Sequence, residues 1–125
     1  MIRALVERVY AALATGDRDE LLAVLADDFE ADAAAGMPGG IGGHVTGAVA
    51  MVHFWWALGK SYSVRPEPEE WIACEDGRLL VVGTYRGRER ATGHVVEAAF
   101  DHLWTARDDR LVALRQLTDT VRWTA

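Results

Sequence analysis

Residues 75–86, EDGRLLVVGTYR, decide the fold class. Asp76-Gly77 is a hairpin signal, because a tight turn needs positive φ and glycine reaches it without a Cβ clash. Leu79, Val81, Gly83 and Tyr85 then alternate against Leu80, Val82, Thr84 and Arg86, the period of two that a strand imposes. Outward from this run, residues 61–75 read as its extended partner. Pro66 and Pro68 cannot donate to a ladder, which makes that partner an edge strand or a bulged one. Arg88 to Gly93 reads as a polar turn and Val95 to Thr105 as a third long strand. Asp108-Asp109 turns the chain into a fourth, Leu111 to Trp123. Strands joined by turns this short are antiparallel.

Toward the N-terminus the period changes. Ile2, Leu5, Val6, Val9, Tyr10 and Leu13 recur at steps of three and four and define one face of a helix. Gly16 suits the left-handed position that ends it, and Asp17 with Glu20 reads as the capping box of a second, short helix closed by Asp27-Asp28. Leu21, Leu22, Val24 and Leu25 are its buried stripe. Residues 29–35 suggest a brief strand of weak chemistry. Residues 36–44, GMPGGIGGH, hold five glycines and a proline and read as a loop, either a connector or a lid. A third helix spans Ala48 to Leu58, stopped by Gly59. It is apolar on nearly every side, so burial on nearly every side is expected. The whole is a single α+β domain over residues 1–125, with three helices on a strongly curved antiparallel sheet and a conical pocket between them.

Composition excludes several classes. The 125 residues carry 19 acids against 13 Lys and Arg, a net charge of −6, which disfavours nucleic acid as a partner. Cys74 is the one cysteine, so no disulfide framework or Cys-based zinc site exists. His44, His53, His94 and His102 lack metal-ligand spacing, so no metal site is expected. No apolar run approaches the roughly 20 residues of a membrane span. Arg3, Glu7 and Arg8 break the start of the chain as a signal segment, and a cytoplasmic location is expected.

Asp119 is the acid of most interest. It stands between Thr118 and Thr120 in an otherwise apolar segment; desolvated there, its carboxyl would titrate high enough for proton transfer. The plainer alternative is that it accepts local hydrogen bonds at a strand end. His102, between Phe100 and Trp104 on one strand face, is its natural partner, or else a satisfied core histidine. Tyr10 can aim a hydroxyl into the pocket or simply pack. Asp32, with Glu30, can present a carboxylate from the first strand or line a solvated edge. Trp55, Trp56, Phe100 and Trp104 are core residues or the aromatic wall of a cavity for a small apolar guest.

Taken together, the chain resembles the SnoaL-like polyketide cyclase branch of the nuclear transport factor 2-like superfamily. The residues that carry the likeness are Ala14-Thr15-Gly16-Asp17, Leu25 to Phe29, Asp76-Gly77-Arg78, Gly83-Thr84-Tyr85, Ala99 to Trp104, Arg107 to Val112 and Leu114 to Thr120. The resemblance implies a cone-shaped (cystatin-like) domain that is commonly a homodimer through the outer sheet face. It also implies ring closure by intramolecular aldol addition without metal or cofactor. An Asp on the last strand then serves as acid and base, the position of Asp119, with polar help from the adjacent strand near His102. In the related ketosteroid-isomerase type a Tyr on the first helix and an Asp on the first strand act. Here Tyr10 is displaced by about one residue and Ala33 stands in the place of that base. The Arg-x-Asp of the epoxide-hydrolase type is replaced by Tyr85-Arg86-Gly87. The function expected is acid–base chemistry at a carbonyl of an apolar cyclic or polyketide-like substrate, with a non-catalytic binding or dimerisation module as the alternative.

Overall fold

A computed structural model of the chain describes residues 1–124. Helix α1, Ile2–Thr15, ends where Gly16 adopts φ 71° and lets its N–H return to Ala12. Asp17 then opens α2, Arg18–Val24, its carboxylate accepting from the N–H of Glu20 at 3.1 Å, a cap that stabilises by about 1 kcal/mol. Strand β1 is Leu25–Ala33, β2 is Gly43–Thr46, and helix α3 is Ala48–Ser61. Strands β3, β4, β5 and β6 follow as Tyr62–Ala73, Leu79–Glu89, Val95–Arg107 and Arg110–Thr118, and a single turn of helix, α4, covers Val121–Thr124.

The six strands form one sheet in the order β2-β1-β6-β5-β4-β3. The long hairpins are antiparallel as expected, and β3, with Pro66, Pro68 and a register shift between Pro68 and Glu70, is an edge. One pairing departs from the antiparallel expectation: β1 lies parallel to β6. That contact joins opposite ends of the chain and leaves no local trace in sequence.

Several boundaries also differ. Helix α2 stops at Val24, and the strand begins at once with Leu25, because Leu25, Phe29, Ala31 and Ala33 bury one face of β1 against the core. Burial and the β6 ladder override the weak strand propensity of alanine and acid. The glycine-rich stretch is more ordered than a loop. Pro38–Gly40 makes a 3₁₀ turn and β2 starts at Gly43, pairing Asp32 with His44. A side chain at position 42 is forbidden, since a Cβ there would sit 2.1 Å from the carbonyl oxygen of Ala34. Helix α3 runs through Gly59 instead of stopping there, and Arg90 donates from Nε to the Gly59 carbonyl at 2.8 Å. Nor is α3 buried all round: Val49 is 51% and Trp56 37% exposed. Cys74 falls in the β3–β4 turn and is half-buried.

The last correction shapes the pocket. Strand β6 ends at Thr118, not at Trp123. The chain turns at Asp119-Thr120, and α4 drives Trp123 into the core at 0% exposure. The inward face of the curved sheet is the parity of Val81, Tyr85, Phe100, His102, Trp104, Leu114 and Gln116. Helices α1 and α3 close over that face, leaving a hollow. No helix among the described residues is long and apolar enough to cross a membrane.

Candidate functional site

The hollow has a volume of about 460 Å³. Its walls are mostly apolar, with Trp55, Trp56, Trp104 and Trp123 among the aromatics, and among the described residues no Asp or Glu lines it. Lys60, Arg65 and Arg90 also border it, and deep among the strands four polar side chains meet: Tyr10 from α1, Tyr85 from β4, His102 from β5 and Gln116 from β6. The ladder sets this meeting, since Val81 and Gln116 flank His102 in register on the two neighbouring strands, and Tyr85 lies two inward positions along from Val81.

His102 is 4% exposed and is held at both ring nitrogens. Nδ1 lies 2.8 Å from the Tyr10 hydroxyl and Nε2 2.6 Å from the Tyr85 hydroxyl. Phe100 stacks on the ring with centroids 4.1 Å apart, and Trp104 meets it edge-on. Burial holds the imidazole down to about 3, so the ring is neutral near pH 7, carrying one N–H donor and one bare acceptor. Burial likewise raises Tyr10 and Tyr85, keeping both phenols protonated.

Two further donors orient this chain. The Gln116 amide has only one arrangement that works: Oε1 accepts from the backbone N–H of Ala34 at 3.1 Å. Nε2 must then be the donor to the Tyr85 oxygen at 2.9 Å. At the other end Trp104 donates from Nε1 to the Tyr10 oxygen at 3.3 Å. The result is a continuous line, Gln116–Tyr85–His102–Tyr10–Trp104. With no formal charge in it, this line can accept a proton at one place and surrender one at another.

Of the residues expected from sequence, His102, Tyr10, Trp55, Trp56 and Trp104 reach the hollow. Phe100 does not line it and supports the imidazole from behind. Asp119 is not in the site. Its side chain is 48% exposed and 3.8 Å from Arg122, while its N–H bonds the Ala99 carbonyl. The cause is where the strand stops: β6 ends at Thr118, and Asp119 lies exposed in the turn that leads into α4, whereas Gln116, within the strand, faces inward. Asp32 is outside too, 69% exposed, and with Glu30 it grips His44 at 2.8 and 3.3 Å. The hydrogen bond to Asp32, then that to Glu30, raises the His44 imidazole above its ordinary value. Tyr85 and Gln116 were not singled out in the sequence. The signal for both is a polar group on the strand parity that also carries His102 and Leu114.

A family model described as a SnoaL-like domain matches residues 6–114. No curated protein matches the chain. Among solved structures, the chain is similar to a nuclear transport factor 2-like protein of unknown function from Burkholderia pseudomallei, 28% identical with a TM-score of 0.86 over 98% of this chain and 97% of that one. It is similar to TerC co-crystallised with polyporic acid, at 27% identity and a TM-score of 0.83 over 94% and 91% of the two chains. A protein provisionally assigned as a polyketide cyclase from Xanthomonas campestris pv. campestris shares the fold at 22% identity, with a TM-score of 0.83 over 97% and 92%.

Proposed function

The chain belongs to the SnoaL-like domain family, within the nuclear transport factor 2-like superfamily, and on that premise we propose that its hollow performs acid–base chemistry at the carbonyl of an apolar cyclic or polyketide-like guest. One observation carries this reading: a neutral imidazole gripped by two phenols in an apolar cavity without a wall carboxylate. His102 is the base, acting through the phenols, and a phenol hydroxyl donates where carbonyl oxygen charge develops. A relative that holds polyporic acid in its crystals supports a small organic guest. The carboxylate-free wall favours a second reading, a binding module that holds such a guest without turning it over.

The discriminating probe is 2-tetralone, a bicyclic ketone with an acidic C–H beside its carbonyl, followed by NMR in heavy water. The wild-type protein should accelerate deuterium uptake at that carbon. His102→Gln should slow it about 10²–10⁴-fold, the usual worth of a general base, while retaining the guest. Asp119→Asn, remote and solvated, should leave the rate within about twofold, since surface changes rarely exceed 0.5 kcal/mol. Binding without accelerated exchange selects the second reading, and loss of exchange in Asp119→Asn removes His102 from its role.

We also propose that copies pair through the outer sheet face. Leu117 is 52% and Ile72 42% exposed on the outside of β6 and β3, apolar surface a monomer would leave wet. Sedimentation should give twice the chain mass, and Leu117→Lys should return it to one. A wild-type monomer at tens of micromolar defeats this pairing.

A further inference from the structure

The hydrogen count of the line of polar groups has a consequence beyond base catalysis, and it rests on the proposed chemistry at this site. Two links join the imidazole to the phenols. Three hydrogens are available to make them: one on Tyr10, one on Tyr85 and one on neutral His102. Gln116 and Trp104 are donors pointing inward to the phenol oxygens, so neither can absorb a hydrogen. One phenol hydrogen is therefore always left over, and both phenols line the cavity.

The surplus can lie at either end. In one arrangement Tyr10 donates to Nδ1, Nε2–H donates to Tyr85, and the Tyr85 hydrogen faces the cavity. In the other Tyr85 donates to Nε2, Nδ1–H donates to Tyr10, and the Tyr10 hydrogen faces the cavity. We infer that Tyr10, His102 and Tyr85 form a neutral two-ended relay that tautomerises an enolisable cyclic ketone by taking a proton at one phenol while delivering one at the other.

The step balances. The Tyr85 hydrogen passes to the substrate carbonyl oxygen, the Nε2 hydrogen moves to Tyr85, and the Tyr10 hydrogen moves to Nδ1. The Tyr10 oxygen takes the proton from the carbon beside the carbonyl as that C–H bond breaks and its electron pair forms the enol double bond. The product is a neutral enol, and the relay has gone from its first arrangement to its second. When the enol returns its hydroxyl proton to Tyr85 and receives the Tyr10 proton on carbon, the relay resets. If the enol is conjugated, that carbon can be two atoms further along, and the net reaction is a shift of a double bond. No ion is created in the cavity at any stage, which suits a site walled by tryptophans. The reacting group is accordingly the neutral carbonyl of a cyclic ketone, with Lys60, Arg65 and Arg90 bordering the rest of the cavity. The groups touching the imidazole are Tyr10 on α1, Tyr85 on β4, and Phe100 and Trp104 on its own strand, and none of these carries a charge.

The test is the tautomer of His102, read from the ring shifts of the protein labelled with ¹⁵N-histidine and assigned by the signals lost in His102→Gln. Removing Tyr85 with Tyr85→Phe leaves a partner only at Nδ1 and should place the hydrogen there. Tyr10→Phe should place it on Nε2. Opposite tautomers in the two variants support the relay; the same tautomer in both, or a doubly protonated ring near pH 7, overturns it. Should either variant fail to fold, the wild-type ring decides. Shifts averaged between the two forms support the relay, and a single fixed tautomer overturns it. Deuterium uptake into 2-tetralone is the separate arm. The expected tautomers without uptake sink the proposed chemistry and leave the relay. Uptake with one unchanging tautomer keeps the base and sinks the relay.

Discussion

Between pH 6.5 and pH 5 the folded protein should lose about 1.7 kcal/mol of stability, the slope approaching about 1.4 kcal/mol per pH unit toward the lower end, because of His102 alone. The folded ring titrates at about 3, held down by burial, whereas in the unfolded chain it takes a proton near its ordinary value. Well above pH 6.5 neither state binds that proton and the full contribution is present. Below it the unfolded state gains a proton that the folded state refuses, and stability falls until the folded ring itself titrates. Against a typical total of about 5–15 kcal/mol, the loss is large. His44 acts in the opposite direction, since Asp32 and Glu30 raise it, but it is half-exposed and its pair is screened. Guanidinium midpoints measured at intervals across this window check the slope. His102→Gln should flatten it, whatever that variant loses at pH 7. A wild-type slope near zero above pH 5 would mean that the buried ring protonates freely, and the neutral-imidazole account would go.

Trp123→Ala should destabilise the fold by about 3–5 kcal/mol, the range for deleting a fully buried large aromatic. For a chain of this length that is a fall in melting temperature of roughly 10–20 °C. The indole is 0% exposed and meets Tyr62 and Tyr85 at centroid distances of 5.3 and 5.0 Å. Its N–H donates to the Thr118 hydroxyl at 3.3 Å, and Tyr62 returns a hydrogen bond to its backbone carbonyl. Because Trp123 also borders the hollow, its removal enlarges the cavity and frees Tyr85 on one side. Trp123→Phe should recover about half of the loss, since it keeps the ring contacts and forfeits the hydrogen bond. Thermal unfolding followed by circular dichroism decides. A loss below 1 kcal/mol would show that the last turn of the chain is dispensable.

The long strands were legible because period-two alternation and Asp76-Gly77 are local signals. Helix α1 and its Gly16 end were legible for the same reason. What escaped is non-local. The parallel contact of β1 with β6 joins residues some eighty positions apart, and the acids of β1 argue against a strand until β6 supplies its ladder. Alternation also sorts a strand into two faces without saying which is inside; that depends on where α1 and α3 close. This is why the sequence marks His102 and Tyr10 as chemistry, yet does not distinguish Tyr85 and Gln116 from core or show that Asp119 lies outside the cavity. Alternation does not reveal that β6 stops at Thr118, and the turn beyond it carries Asp119 out to solvent. Helix α4, four residues long, is too short for periodicity to reveal.

The two rims of the sheet are unlike. One is β2, only four residues long. The other is β3, which lacks donors at Pro66 and Pro68, shifts register beside them and carries Glu67, Glu69 and Glu70. Neither offers a flat, long, uncharged border on which a foreign strand could lay itself, so open-ended polymers built rim to rim are barred. A protein with half its residues apolar thus keeps its sheet finite and leaves only broad faces for self-association.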